Sequence, residues 1–161
     1  MNYSKALNEC IESAYMVAGH FGARYLESWH LLIAMSNHSY SVAGATLNDY
    51  PYEMDRLEEV ALELTETDYS QDEIFTELPF SHRLQVLFDE AEYVASVVHA
   101  KMLGTEHVLY AILHDGNALA TRILERAGFS YEDKKDQVKI AALRRNLEER
   151  AGWTREDLKA L

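Results

Sequence analysis

The residues best placed to do chemistry cluster around two histidines, His30 and His107, which stand 77 positions apart at the start of similar apolar runs. Glu27-Ser28-Trp29-His30 has the Glu-x-x-His spacing used by di-iron helix bundles. Three features speak against a metal there. Ser28 is expected to cap the helix that follows, leaving Glu27 outside it; the matching position before His107 is Gly104; and the apolar stripes carry none of the further carboxylates a metal needs. Both histidines read as structural groups at a helix start, and no metal ligand is assigned. No serine, threonine or cysteine stands in a recognisable nucleophile context, so no catalytic residue is assigned either. The seven glycines are isolated and none precedes Lys-Ser or Lys-Thr, which removes a phosphate-binding loop. Glu106 is different. At the first turn of a helix a carboxylate sits favourably in the dipole, beside backbone N–H groups that lack partners and suit an anion. Such a place can hold a ligand carrying a cation and an anion together.

Composition narrows what can surround these residues. A chain of 161 residues with 48% hydrophobic and 26% charged residues supports one packed core. Two prolines leave long uninterrupted stretches, which favours helices. Cys10 is the single cysteine, so no intramolecular disulfide forms, and its place on an apolar helical face makes it a small buried hydrophobe. No apolar run approaches the ~20 residues of a membrane span, and Met1–Ala14 lacks the apolar core of a signal peptide. The chain therefore reads as cytoplasmic. Residues 1–133 hold 7 Lys/Arg against 22 Asp/Glu, a balance of −15, while residues 134–161 hold 8 against 5, a balance of +3. So acidic a body argues against nucleic acid, whose phosphates need Lys and Arg.

The elements that position Glu106 come from a repeat. Shifted by 77 residues, the sequence matches itself without a gap at Ser4/Ser81, Leu7/Leu84, Ala14/Ala91, Val17/Val94, Leu26/Leu103, His30/His107, Leu32/Leu109 and Leu47/Leu124, among others. A repeat of this length means one supersecondary unit built twice around a shared core. In the first copy Ser4 opens a helix to Phe21, Ser28 caps a buried helix over Trp29–Ser36, Ser41 opens a short helix, and Pro51 starts a fourth with Met54, Leu57, Val60, Ala61 and Leu64 inward. An acidic, aperiodic connector follows at 66–79. In the second copy Ser81 opens the first helix and Thr105 caps a buried helix over Glu106–Leu113. Gly116-Asn117 turns into Leu119–Ala127, closed by Gly128. Ser130 and Asp133 start a long last helix with Val138, Ala141, Ala142 and Leu143 inward, which Gly152 stops before a final turn capped by Thr154.

The tandem units and the run Gly104-Thr105-Glu106-His107 resemble the N-terminal domain of the Clp AAA+ unfoldases, specifically the ClpC-like type of Gram-positive bacteria. The resemblance covers about Tyr3 to residue 145. It implies a pocket for phosphoarginine in the second repeat, where Glu106 takes the guanidinium and Thr105 and Ser81 lie near the phosphate. In the first repeat Trp29 stands where the family has that glutamate and Glu27 where it has glycine. The counterpart there, Ser4, Ser28 and Trp29, thus lacks the expected carboxylate. The resemblance also implies adaptor proteins and substrate proteins, some arginine-phosphorylated, as partners, and a full-length hexamer working with a protease. ATP is expected only in modules absent from this chain, which itself needs no cofactor.

The expectation is an all-α fold of two tandem four-helix repeats related by a pseudo-twofold and packed as one globular domain. Residues 1–145 form that domain (repeat one about 3–65, repeat two about 80–145), and 146–161 form a helical connector towards an ATPase module. The function expected is recognition of substrates and adaptors for an ATP-dependent unfoldase and protease, without enzymatic activity in this chain. The alternative is a stand-alone helical binding module, unconnected to an ATPase, with metal binding as its lesser form.

Overall fold

The computed structural model describes residues 1–49, 56–66, 77–115, 119–127 and 134–161, the last stretch with side chains from 141 onward. The helices of the first repeat are α1 (Lys5–His20), α2 (Ser28–Ser36), α3 (Val42–Leu47) and α4 (Leu57–Thr65). Those of the second are α5 (His82–Val97), α6 (Thr105–His114), α7 (Leu119–Arg126) and α8 (Lys134–Ala151), and α9 (Arg155–Ala160) follows. The first four begin at residues 5, 28, 42 and 57, the second four at 82, 105, 119 and 134, a constant offset of 77. The repeat thus extends through the fourth helix of each copy. Pro51, Met54, Gly116, Asn117, Gly128, Ser130, Asp133 and the side chain of Val138 lie outside the described residues, as does the connector between 67 and 76.

The centre is α2, in which every residue from Ser28 to Ser36 is buried. Leu31, Leu32 and Met35 have no exposure, and Leu109 of α6 matches Leu32. An apolar run without a polar face can only sit inside, between other elements. The two repeats interlock rather than stack: α3 packs on α6 and α8, and α7 packs on α2 and α4. Cys10 is fully buried, and burial pushes its thiol up to about 12, as befits a small core residue.

Side-chain caps fix the long helices. The Ser4 hydroxyl accepts from Leu7 N–H at 3.1 Å, and Ser81 does the same for Leu84 at 3.1 Å. Gly44 brings α3 against the end of α2: a Cβ there would stand 1.8 Å from the His38 carbonyl oxygen. At the equivalent position 121 the second repeat carries a threonine, whose hydroxyl donates to the Asp115 carbonyl at 2.5 Å. The left-handed residue after the first helix also repeats, as Gly22 (φ +62°) and His99 (φ +60°).

No strand forms among the described residues, but two isolated parallel bridges do: Tyr3 with Leu103 and Leu26 with Phe80. They too are related by the offset of 77. Each joins the entry segment of one repeat to the turn before the buried helix of the other. Across residues 145 and 146, where the connector was expected to begin, α8 continues unbroken. Leu147 lies in the core, and Trp153 stacks on His107 with ring centroids 6.0 Å apart.

Candidate functional site at the start of the buried helices

The caps of α2 and α6 lie one residue earlier than expected. Glu27 and Gly104, not Ser28 and Thr105, are the extended N-cap residues. In each, the backbone N–H donates to the histidine three residues on: Glu27 to His30 Nδ1 at 2.9 Å and Gly104 to His107 Nδ1 at 2.8 Å. Accepting at Nδ1 places the proton of the neutral ring on Nε2. Burial keeps both rings neutral, pushing His30 down to about 3 and holding His107 below its ordinary value, with the Glu106 carboxylate opposing the latter shift. Both are therefore structural, as expected. They tie the N-cap to the first turn, a task the backbone of the helix cannot do for itself.

Glu106 occupies the first turn of α6, half-buried, with its carboxylate 3.7 Å from His107 Nε2. It folds back over Gly104: a Cβ at that glycine would meet Glu106 Oε1 at 2.4 Å and Oε2 at 2.6 Å. With φ near −110°, Gly104 needs no special backbone freedom. The missing side chain is what matters, since it leaves the space that the carboxylate fills. In the first repeat Glu27 stands at the position of Gly104, so a carboxylate springs from the spot that is vacant in the second.

The serines are exchanged between repeats relative to expectation. Ser81 does not join Glu106. Its hydroxyl donates to Glu27 Oε2 at 3.0 Å, and its N–H donates to Leu26 O at 3.0 Å. Ser4 is the serine brought to the second repeat's turn, its N–H donating to Leu103 O at 2.8 Å. The reason is the bridge pairing, which carries each entry segment across to the other repeat. Thr105 is also placed differently from the ligand-facing role expected of it. It is buried, and its hydroxyl accepts from Ala43 N–H at 3.2 Å, bracing α3 of the first repeat against α6. Ser28 is buried in α2. Trp29 is packed edge-on against Phe21 at 4.6 Å between ring centroids and lies over His30 at 3.9 Å. The site residues thus regroup as Ser4 with Gly104 and Glu106, and Ser81 with Glu27 and Trp29.

The family profile of the Clp repeat (R) N-terminal domain matches residues 2–127 of this sequence. The chain belongs to that family. Two solved structures have the same fold. The N-terminal domain of the caseinolytic protease associated chaperone ClpD from Arabidopsis thaliana superposes with a TM-score of 0.71 at 16% identity, covering 94% of this chain and 95% of its own. The Hsp104 N-terminal domain from Candida albicans gives 0.70 at 18% identity, with 98% and 96% covered. A sequence search of curated proteins finds no match. Among the described residues no three of His, Cys, Asp and Glu gather as a metal site, and no helix is long and apolar enough to cross a membrane. The Glu27–His30 pair that raised the metal question is spent on the N-cap bond and on Ser81.

Sequence reasoning missed Gly104 and Glu27 as the residues that decide where a carboxylate stands. The signal was present in the aligned pair Glu27-x-Trp29 and Gly104-x-Glu106, in which acid and non-acid change places.

Proposed function

We propose that this Clp repeat domain is a recognition module that docks adaptors and substrates for an ATP-driven unfoldase, and that its second repeat binds the guanidinium of phosphoarginine through Glu106. The observation that supports this is the seat of the Glu106 carboxylate, half-buried at a helix start and given room by Gly104. A guanidinium is best held by a carboxylate, since charge-assisted bonds are roughly twice as strong as neutral ones. The phosphate would lie toward the N-terminal amides of α6 and toward Ser4, which replaces Ser81 in this reading. The unfoldase, its ATP, its hexameric assembly, a protease partner and a cytoplasmic setting belong to the same reading and follow from the resemblance. Titration calorimetry of phosphoarginine into the wild-type chain and Glu106→Ala tests the site. Saturable binding that the substitution abolishes supports it. Binding that survives the substitution, or no binding by either protein, removes phosphoarginine and leaves docking of unmodified partners.

A further inference from the structure

The two repeats treat one equivalent groove differently. In the first repeat the groove beside α1 and α2 is strapped by the turn that follows α2. Tyr40 donates its hydroxyl proton to Glu9, His38 Nδ1 lies 2.6 Å from the Tyr40 hydroxyl, and His38 Nε2 lies 2.7 Å from the Ser13 hydroxyl. An ionised carboxylate can only accept, so Tyr40 receives the His38 Nδ1 proton, and the bare Nε2 receives that of Ser13. Each member of the strap is satisfied.

In the second repeat the matching groove between α5 and α6 is open. It has a volume of about 440 Å³, lined by Val86, Asp89, Glu90, Tyr93, Tyr110 and His114. The first four occupy the positions of Glu9, Glu12, Ser13 and Met16. The turn that could have strapped it is engaged elsewhere: Asp115, which matches His38, takes both Nε and Nη2 of Arg83 at 3.0 and 2.5 Å. Val86 is 43% and Tyr93 62% exposed, so an apolar floor stands open to solvent among acids.

We infer that the α5–α6 groove docks a partner segment presenting an aromatic side chain next to Lys or Arg, in the place that Tyr40 fills in the first repeat. The internal strap shows what the groove's geometry accepts, an aromatic ring carried on an irregular segment. The charge decides the rest. Asp89 and Glu90 are exposed at the rim, and the body behind them carries −15 over residues 1–133. Arg144 and burial hold His114 below its ordinary value, so it adds no cation at neutral pH. Such a surface attracts basic segments and repels acidic ones, mainly through the association rate. The inference rests on the domain being a recognition module but not on Glu106.

The experiment is fluorescence anisotropy with three labelled peptides: one with tyrosine between arginine and lysine, one with alanine for the tyrosine, and one with glutamates for the basic residues. The proteins are wild type, Val86→Asp, Glu90→Lys and Glu106→Ala, all substituted at exposed or half-buried positions that the fold tolerates. The expected result is saturable binding of the first peptide, with roughly tenfold or greater weakening for either altered peptide and for Val86→Asp and Glu90→Lys, since a desolvated anchor and its paired charge carry most of such an interface. Glu106→Ala should bind as wild type does. Equal binding of the acidic peptide, or indifference to both groove substitutions, overturns the inference. So does self-association of the wild type that Val86→Asp abolishes, since the occupant would then be a second copy. Loss of peptide binding in Glu106→Ala alone would move the interaction to the other site.

Discussion

The Glu106 carboxylate lies where a side chain at Gly104 would begin, within 2.4 Å of the Cβ that the glycine lacks. Two residues of the N-cap turn therefore share one space, and only one can be long. In the second repeat the long residue is Glu106. In the first it is Glu27, whose carboxylate takes the Ser81 hydroxyl, while Trp29 is turned into the core against Phe21. The same backbone presents an acid in both repeats, from different positions and with different neighbours.

A methyl group tests that relationship. Gly104→Ala places a Cβ against the tip of a flexible side chain, and the backbone, at φ −110°, accepts alanine. The fold should lose less than about 1 kcal/mol, because only the carboxylate has to move. Phosphoarginine affinity should fall roughly tenfold or more, as a displaced charged partner costs about 1.5–3 kcal/mol. Unchanged affinity in a well-folded variant would show that the seat of Glu106 is irrelevant to binding.

The buried helices should behave as a matched pair. Leu32 and Leu109 are both without exposure, at equivalent positions. Leu109→Ala should cost about 2–5 kcal/mol in urea denaturation, and Leu32→Ala a similar amount, since a packed core relaxes only partly into the cavity. A loss below about 1 kcal/mol at either would contradict the shared core.

The helices and their repeat were legible because hydrophobic spacing is local. The faces of α1 and α5 follow from Leu7, Cys10, Ala14 and Val17 and from their counterparts Leu84, Leu87, Ala91 and Val94. The caps of α2 and α6 were misplaced by one residue because Ser28 and Thr105 are good capping types, whereas the structure uses histidine to close the turn and leaves those hydroxyls for packing. The grouping of Ser81 with Glu106 failed for a non-local reason. Bridges of one residue pair, Tyr3 with Leu103 and Leu26 with Phe80, leave no periodic trace, yet they decide which serine meets which turn. Trp153 over His107 was equally hidden, since a connector's amphipathicity does not say whether it folds back.

Stability should depend on pH through His30. Its ring is fully buried and neutral in the folded state, with its value pushed down to about 3 by desolvation. Above the ordinary histidine value of about 6.5 neither state binds the proton, and stability is indifferent to it. As pH falls below about 6.5 the unfolded chain is protonated first, so stability drops, by at most about 1.4 kcal/mol per unit, until the folded form can also bind. His107 and His114 are shifted the same way and add to the slope. His30→Asn keeps an acceptor for the Glu27 N–H and removes the titration. Its stability, read by urea denaturation at several pH values between about 6.5 and 4.5, should fall less steeply than that of wild type. Parallel curves would remove His30 as a cause.

The last prediction concerns stoichiometry. Phosphoarginine should bind the wild-type chain once, in the second repeat. The first repeat also owns a carboxylate, Glu27, but the Ser81 hydroxyl already occupies it at 3.0 Å. A guanidinium entering there must displace that bond, and the packed Trp29 offers one indole N–H and a face, which cannot balance a buried charge. Trp29→Ala should therefore lower stability by opening the contact with Phe21, without changing the number of sites. Ser81→Ala is the sharper variant, since it releases Glu27 from its internal partner. Calorimetric titration should then reveal a weak second site, and Glu27→Ala in the same background should remove it. Added salt should weaken either site only modestly, because it screens repulsion of the phosphate by the acidic body as well as attraction of the guanidinium. Two equal sites in the wild type would mean that Glu27 leaves Ser81 freely and that the exchange of acid and non-acid between the repeats preserved both pockets. One site that survives Glu106→Ala but is lost in Glu27→Ala would place recognition in the first repeat instead.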